Sequence, residues 1–164
     1  MSRLLPWRRE GLSTLSRLIL AIGLMEGVRS GFFAGLLPFY APERLNLGPT
    51  AFTLAYTLHQ LAENLSKSLG GLLAERVGFG LTASLAAFVG LLALLLTPLA
   101  QAAWLLWALG LLWGLSLSTL YPGLMTYASR IAVPGKEARA LSFTLTLVMP
   151  WVGVGLIGLS LIHI

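Results

Sequence analysis

The sequence predicts an all-α integral membrane protein of about five transmembrane helices. Composition is the first reason: 57% of the 164 residues are hydrophobic, 10% are charged, and the mean hydropathy is +0.84. Soluble domains carry about a quarter charged residues, so a soluble globular fold is excluded. The second reason is that apolar residues gather into long runs punctuated by Pro and Gly. The third is that Lys and Arg collect in alternate connections between those runs, as the positive-inside rule requires.

Residues 1–17 read as a cytoplasmic N-terminal segment carrying Arg3, Arg8, Arg9 and Arg17. Its basic flank resembles that of a signal peptide. The run that follows, however, contains Glu26 and Arg29 and has no small-residue cleavage site, so it is read as a retained span. A helix needs about 20 residues to cross a hydrocarbon core of about 30 Å. Candidate spans of that length cover residues 18–40, 51–74, 81–100, 102–130 and 140–162. Pro42 and Gly48-Pro49 punctuate the first connection, Gly78 and Gly80 the second, Pro98 the third, and Pro134-Gly135 the fourth. The third span has no ionisable residue on any face, as expected of a helix at the lipid boundary. The fourth contains Gly110, Gly114, Ser116, Ser118 and Tyr121-Pro122-Gly123, residues suited to close packing, to a bend, or to lining a pathway with their hydroxyls, of which close packing is expected.

If the spans alternate, the N-terminal arginines, Arg76, Arg130, Lys136 and Arg139 fall on one side, while the other side has only Arg44 beside Glu43. This asymmetry predicts a cytoplasmic N-terminus and a multi-pass protein of the cell inner (plasma) membrane. The net charge of +5 belongs to these membrane flanks and forms no aromatic-interleaved patch, so no nucleic-acid partner is expected. Cysteine is absent, which removes disulfides and thiolate metal or redox sites. No cofactor is called for.

Ionisable residues inside the apolar runs are the candidate site. Glu26 and Arg29 share a helix face, as do His59, Glu63 and Lys67, with Gln60 and Asn64 alongside. At about 1.5 Å per residue, Glu26 is expected about 12 Å from the cytoplasmic end of its span, with Arg29 level with His59 and Glu63 of the next. A lone charge near the bilayer centre costs about 3 kcal/mol, so Arg29 should pair with Glu63 or with Glu26. Such a pair either joins two helices or lines a polar pathway in which a carboxylate binds a proton or a cationic substrate, the pathway set being Glu26, Arg29, His59, Glu63 and Asn64. Lys67 sits near enough to the cytoplasmic edge to snorkel to headgroups.

The segment from Gly71 to Gly80, GLLAERVGFG, resembles the loop between the second and third helices of the major facilitator superfamily, G-x-L-a-D-R-x-G-R-K. Gly71, Leu73, Ala74, Arg76 and Gly78 match, Glu75 replaces Asp, and Phe79 and Gly80 replace the basic pair. The run from Pro134 to Ala140 is similar to that family's short fourth connection. Leu106 stands where the family often has an arginine four residues before Gly110, while Pro150 and Gly153 keep part of a fifth-helix antiporter signature. The resemblance implies a fold of about 12 helices in two halves of about six, of which this chain is an incomplete part. It also implies that Gly71, Glu75, Arg76 and Gly78 form a gating loop whose charges latch one access state.

The organisation expected is therefore a cytoplasmic segment (1–17) and a partial transmembrane bundle (18–158). The final stretch (159–164) matches what a transposase-type sequencing adapter would encode, and His163 is expected to belong to no native protein. The function expected is secondary transport of a small solute by alternating access, coupled to protons, with no enzymatic step. The expected partners are the lipid bilayer, an unidentified small-molecule substrate and protons. Two rivals are weighed: a small oligomeric channel or scaffold built on small-residue faces, and a membrane-embedded enzyme. For the latter no HExxH, GxSxG or phosphate-binding loop occurs.

Overall fold

The structure, a computed structural model, describes residues 6–160, without the side chains of Arg9, Leu159 and Ser160. Arg3 and residues 161–164, His163 among them, lie outside the described residues, and the adapter reading of 159–164 goes with them. Among the described residues every regular element is a helix, and β pairing is limited to an isolated bridge between Trp7 and Ala132.

Helix α1 (Leu12–Ser30) runs without a break through a π-helical turn, Gly31–Leu36, into α2 (Leu37–Arg44). The second column consists of α3 (Pro49–Leu65) and α4 (Lys67–Val77), separated at Ser66. The third is α5 (Phe79–Leu96), closed by a 3-10 turn at Thr97–Leu99. The fourth joins α6 (Ala103–Leu117) to α7 (Leu120–Arg130), and the fifth joins α8 (Glu137–Val148) to α9 (Pro150–Ser160).

Four of these columns, Leu12–Arg44, Phe79–Leu99, Ala103–Arg130 and Glu137–Gly158, are long and apolar enough to cross a membrane. The column formed by α3 and α4 is not among them, although the sequence pattern predicts a span there. His59, Gln60, Glu63, Asn64 and Lys67 lower its apolarity, and its polar face is turned toward protein rather than lipid. The chain is thus an all-helical protein with the helices of a multi-pass membrane protein.

The ends of several elements differ from expectation. The first helix begins at Leu12, so Arg17 rides on α1, and Glu26 stands about 20 Å above its start rather than about 12. Pro42 lies inside α2 instead of ending it, because only one N–H near the helix end is lost. The chain turns instead at Asn46, whose φ of 55° is the left-handed conformation that Asn tolerates after a helix. The segment expected as a gating loop is helical through Val77, and the connection contracts to Gly78, with a φ of 92°. Only glycine adopts that angle without strain.

Two contacts bring the polar ends together. Arg8 N donates to Ile131 O at 2.8 Å and Val133 N to Pro6 O at 2.9 Å, which joins the N-terminal segment to the α7–α8 connection. Trp7 meets Phe143 edge-on at 6.1 Å, and Arg139 lies over the same ring at 5.8 Å. Gly78 and Arg130 share a cleft at this end, so Arg8, Arg76, Arg130 and Lys136 cluster there. At the opposite end Trp107 Nε1 donates to Ala51 O at 3.0 Å.

Backbones approach most closely where side chains vanish. A Cβ on Gly110 would stand 2.6 Å from Ala55 O, and one on Gly114 would meet both the His59 carbonyl and Ala62 Cβ. The buried face of α3, with Ala51, Ala55, His59, Ala62 and Glu63, thus lies directly against α6. On the other flank Gly155 of α9 sits on the backbone of Gly27, and Gly23 is covered by Trp151. Small-residue contacts of this kind replace the hydrophobic driving force that lipid cannot supply. The α5 surface, with Leu81, Leu85, Phe88, Leu91 and Leu95 exposed, is left for the acyl chains.

Candidate functional site: a charged cluster at mid-height

Arg29 stands near the middle of a 33-residue column, and Glu63 is equidistant from Pro49 and Val77. The structure brings them together. Arg29 donates from Nε to Glu26 Oε2 at 3.1 Å, and its Nη2 is in direct contact with the same oxygen. Its Nη1 donates to Gln60 Oε1 at 2.8 Å and lies 3.5 Å from Glu63 Oε2. The sequence left two partners open for Arg29, and the structure gives it both.

Lys67 extends the cluster. Its Nζ donates to Asn64 Oδ1 at 2.8 Å, lies 3.8 Å from Glu63 Oε1, and caps the Tyr121 ring at 5.9 Å from the centroid. The expected headgroup anchor is therefore turned inward. Asn64 in turn donates to the Gln60 carbonyl at 2.8 Å. Glu26 and Glu63 are buried at 3% and 4% exposure, and each has a cation beside it.

His59 is fully buried, and neither ring nitrogen makes a hydrogen bond. Phe33 packs on the imidazole at 4.6 Å between centroids, Trp113 at 5.8 Å and Tyr56 at 6.4 Å, while Nε2 comes to 3.8 Å from Glu63 Oε2. Phe33 is delivered by the π turn that begins two residues after Arg29, and such turns recur at functional positions because they redirect side chains.

Two clefts meet at Arg29. One, about 490 Å³, is lined by Arg29, Gln60, Glu63, Asn64 and Lys67 on its polar wall and by Tyr121, Pro122, Met125, Leu145 and Met149 opposite. The other, about 110 Å³, is bordered by Arg29, Ser30, Phe33, Tyr56, Val152 and Leu156. Arg29 is the lining residue they share.

The proposed gating residues lie apart from this cluster. Gly71, Glu75 and Gly78 line a cleft of about 280 Å³ with Phe79, Tyr127 and Arg130 at the basic end. Arg76 is exposed on α4, and among the described residues neither it nor Glu75 makes an ion pair. No group of His, Cys, Asp or Glu among the described residues is arranged to hold a metal.

Sequence reasoning missed the aromatic box around His59 and the part of Met125 and Met149 in the larger cleft, while Tyr121 lies in a stretch for which lining a pathway was one of the readings. Nothing in spacing alone joins Phe33 to Trp113. No family model, curated protein or solved structure matches this chain.

Proposed function

We propose that this chain is a transmembrane unit of a secondary transporter of the major facilitator kind. It moves a small solute by alternating access, coupled to protons, with its N-terminus cytoplasmic. The α3–α4 column crosses the membrane as a fifth span, carrying its polar residues along the protein interior. The observation that carries this reading is the ionic cluster of Glu26, Arg29, Glu63 and Lys67 bordering an open cleft at mid-height.

A structural ion pair is best sealed, because water weakens it. This one borders two clefts that both reach the Arg29 layer, which supports a pathway through it. Movement of α1 against α3 at that layer would close one cleft as it widens the other. The resemblance of Gly71, Glu75, Arg76 and Gly78 to the family's loop supports the same reading, with Glu75 and Arg130 placed to interact across the basic-end cleft when the helices shift.

The test is solute movement in liposomes carrying the whole chain and loaded with a pH-sensitive dye, with a panel of small anions, cations and neutral solutes. Arg29→Met is expected to abolish the flux seen in the parent while insertion and helix content stay unchanged. Undiminished flux would remove Arg29 from the pathway, and failed insertion would mark the cluster as purely structural.

A further inference from the structure

Resting on that transport reading, we infer that the larger cleft takes a small organic monoanion together with a proton, the anion held by Lys67 and Gln60 and the proton by Glu63. The reasoning begins with the charge count. Glu26 and Glu63 balance Arg29 and Lys67, so the buried cluster is neutral and cannot accept a lone ion without leaving a charge uncompensated. A cation has no spare carboxylate to meet it.

The two carboxylates are held differently. Glu26 accepts from two nitrogens of Arg29. Glu63 instead lies between two cations at 3.5 and 3.8 Å, farther than ordinary hydrogen-bond length from both. Glu63 is therefore the carboxylate that can take a proton without breaking a short hydrogen bond to Arg29. The charged and titratable groups around it are Glu26 and Arg29 from α1, Tyr56 and His59 from α3, Lys67 from α4 and Tyr121 from α7.

A proton taken by Glu63 leaves the cluster with one surplus positive charge, and that charge resides on the side chain most open to the cleft. Lys67 has 39% of its side chain exposed. The Gln60 amide nitrogen adds a donor, because its Oε1 is already engaged by Arg29. The remaining wall, with Pro122, Met125, Leu145 and Met149, is apolar. This wall suits the body of a carboxylic acid better than a compact, strongly hydrated polyanion such as phosphate. The proton and the anion thus enter as a neutral pair, which is the form least penalised at this depth.

The experiment uses the whole chain purified in detergent, with lactate and benzoate as anionic probes and choline as the cationic one. Thermal unfolding is followed by tryptophan fluorescence, and proton uptake by an indicator dye in weakly buffered solution. The parent protein is expected to be stabilised by at least one of the anions and to take up about one proton per anion bound. Lys67→Met should weaken that anion about tenfold to a hundredfold. Glu63→Gln should bind it with no proton uptake, and the proton count of the parent alone decides this point if that variant misfolds. Stabilisation by choline alone, anion binding without proton uptake, or no response to any probe each overturns the inference. Loss of flux in Arg29→Met is an independent result, so the transport reading stands or falls separately.

Discussion

His59 has no exposed surface and two ring nitrogens without hydrogen bonds, a situation that costs about 1–3 kcal/mol for a buried polar group. A side chain kept in that state is either a remnant of packing or a proton carrier beside Glu63. His59→Leu distinguishes them: stability in detergent should stay level or rise by about 1 kcal/mol, because an unpaired polar group is replaced by an apolar one of similar reach. If proton relay is its task, the pH profile of solute flux should shift in the same variant. A stability loss above about 3 kcal/mol would instead show that the imidazole has a polar partner in solution. The presence of His59 on the polar face of its helix was legible in the sequence, as was its neighbour Glu63. Its aromatic surroundings were not, because Phe33 and Trp113 reach it from helices distant along the chain.

At the scale of elements, the contact between α3 and α6 is set by what is missing from Gly110 and Gly114. A Cβ on Gly110 would lie 2.6 Å from Ala55 O, and main chain cannot yield as a side-chain tip can. Gly110→Val should therefore destabilise the bundle by about 1–3 kcal/mol, read as a lower unfolding midpoint in detergent. Gly80→Ala serves as the comparison. Nothing lies within 4 Å of its new methyl, and the change should stay below about 1 kcal/mol. Equal losses in both would mean that helix propensity rather than close approach governs these glycines. Gly110 and Gly114 could be read from their four-residue spacing, but their partner helix could not. The spacing of Gly23, Gly27, Gly31 and Gly35 was a second such signal, and its use against α9 emerges only from the packing of Gly27 on Gly155.

For the whole molecule, the segregation of charge is what the proposed orientation rests on. Arg8, Arg76, Arg130 and Lys136 occupy one end, while Glu43 and Arg44 occupy the other. The chain has no cysteine, so single cysteines report sidedness without background. In oriented vesicles, Gly48→Cys should react with a membrane-impermeant maleimide from the outside only. Gly80→Cys and Lys136→Cys should react from the cytoplasmic side only. Gly48 and Gly80 flank the α3–α4 column, so labelling of both from one side would show that this polar column does not cross. Lys136 labelled from outside would invert the whole arrangement.

Composition and periodicity by themselves determined that the chain is helical with runs apolar enough to cross a membrane, roughly where its five helical columns lie, and that Glu26, Arg29 and Glu63 call for partners. These follow from local rules: lipid forbids unpaired backbone groups, and a charge in hydrocarbon must find a partner. Tertiary structure decided which partners. It gave Arg29 to Glu26 and Glu63 at once, turned Lys67 from the headgroups into the cleft, and carried the helix expected to end at Ala74 on to Val77, so that Glu75 and Arg76 are helical and the connection is Gly78. Each of these outcomes depends on where one helix stands against another. That placement is set by glycine and alanine faces, whose information lies in absent atoms and is invisible until two backbones meet.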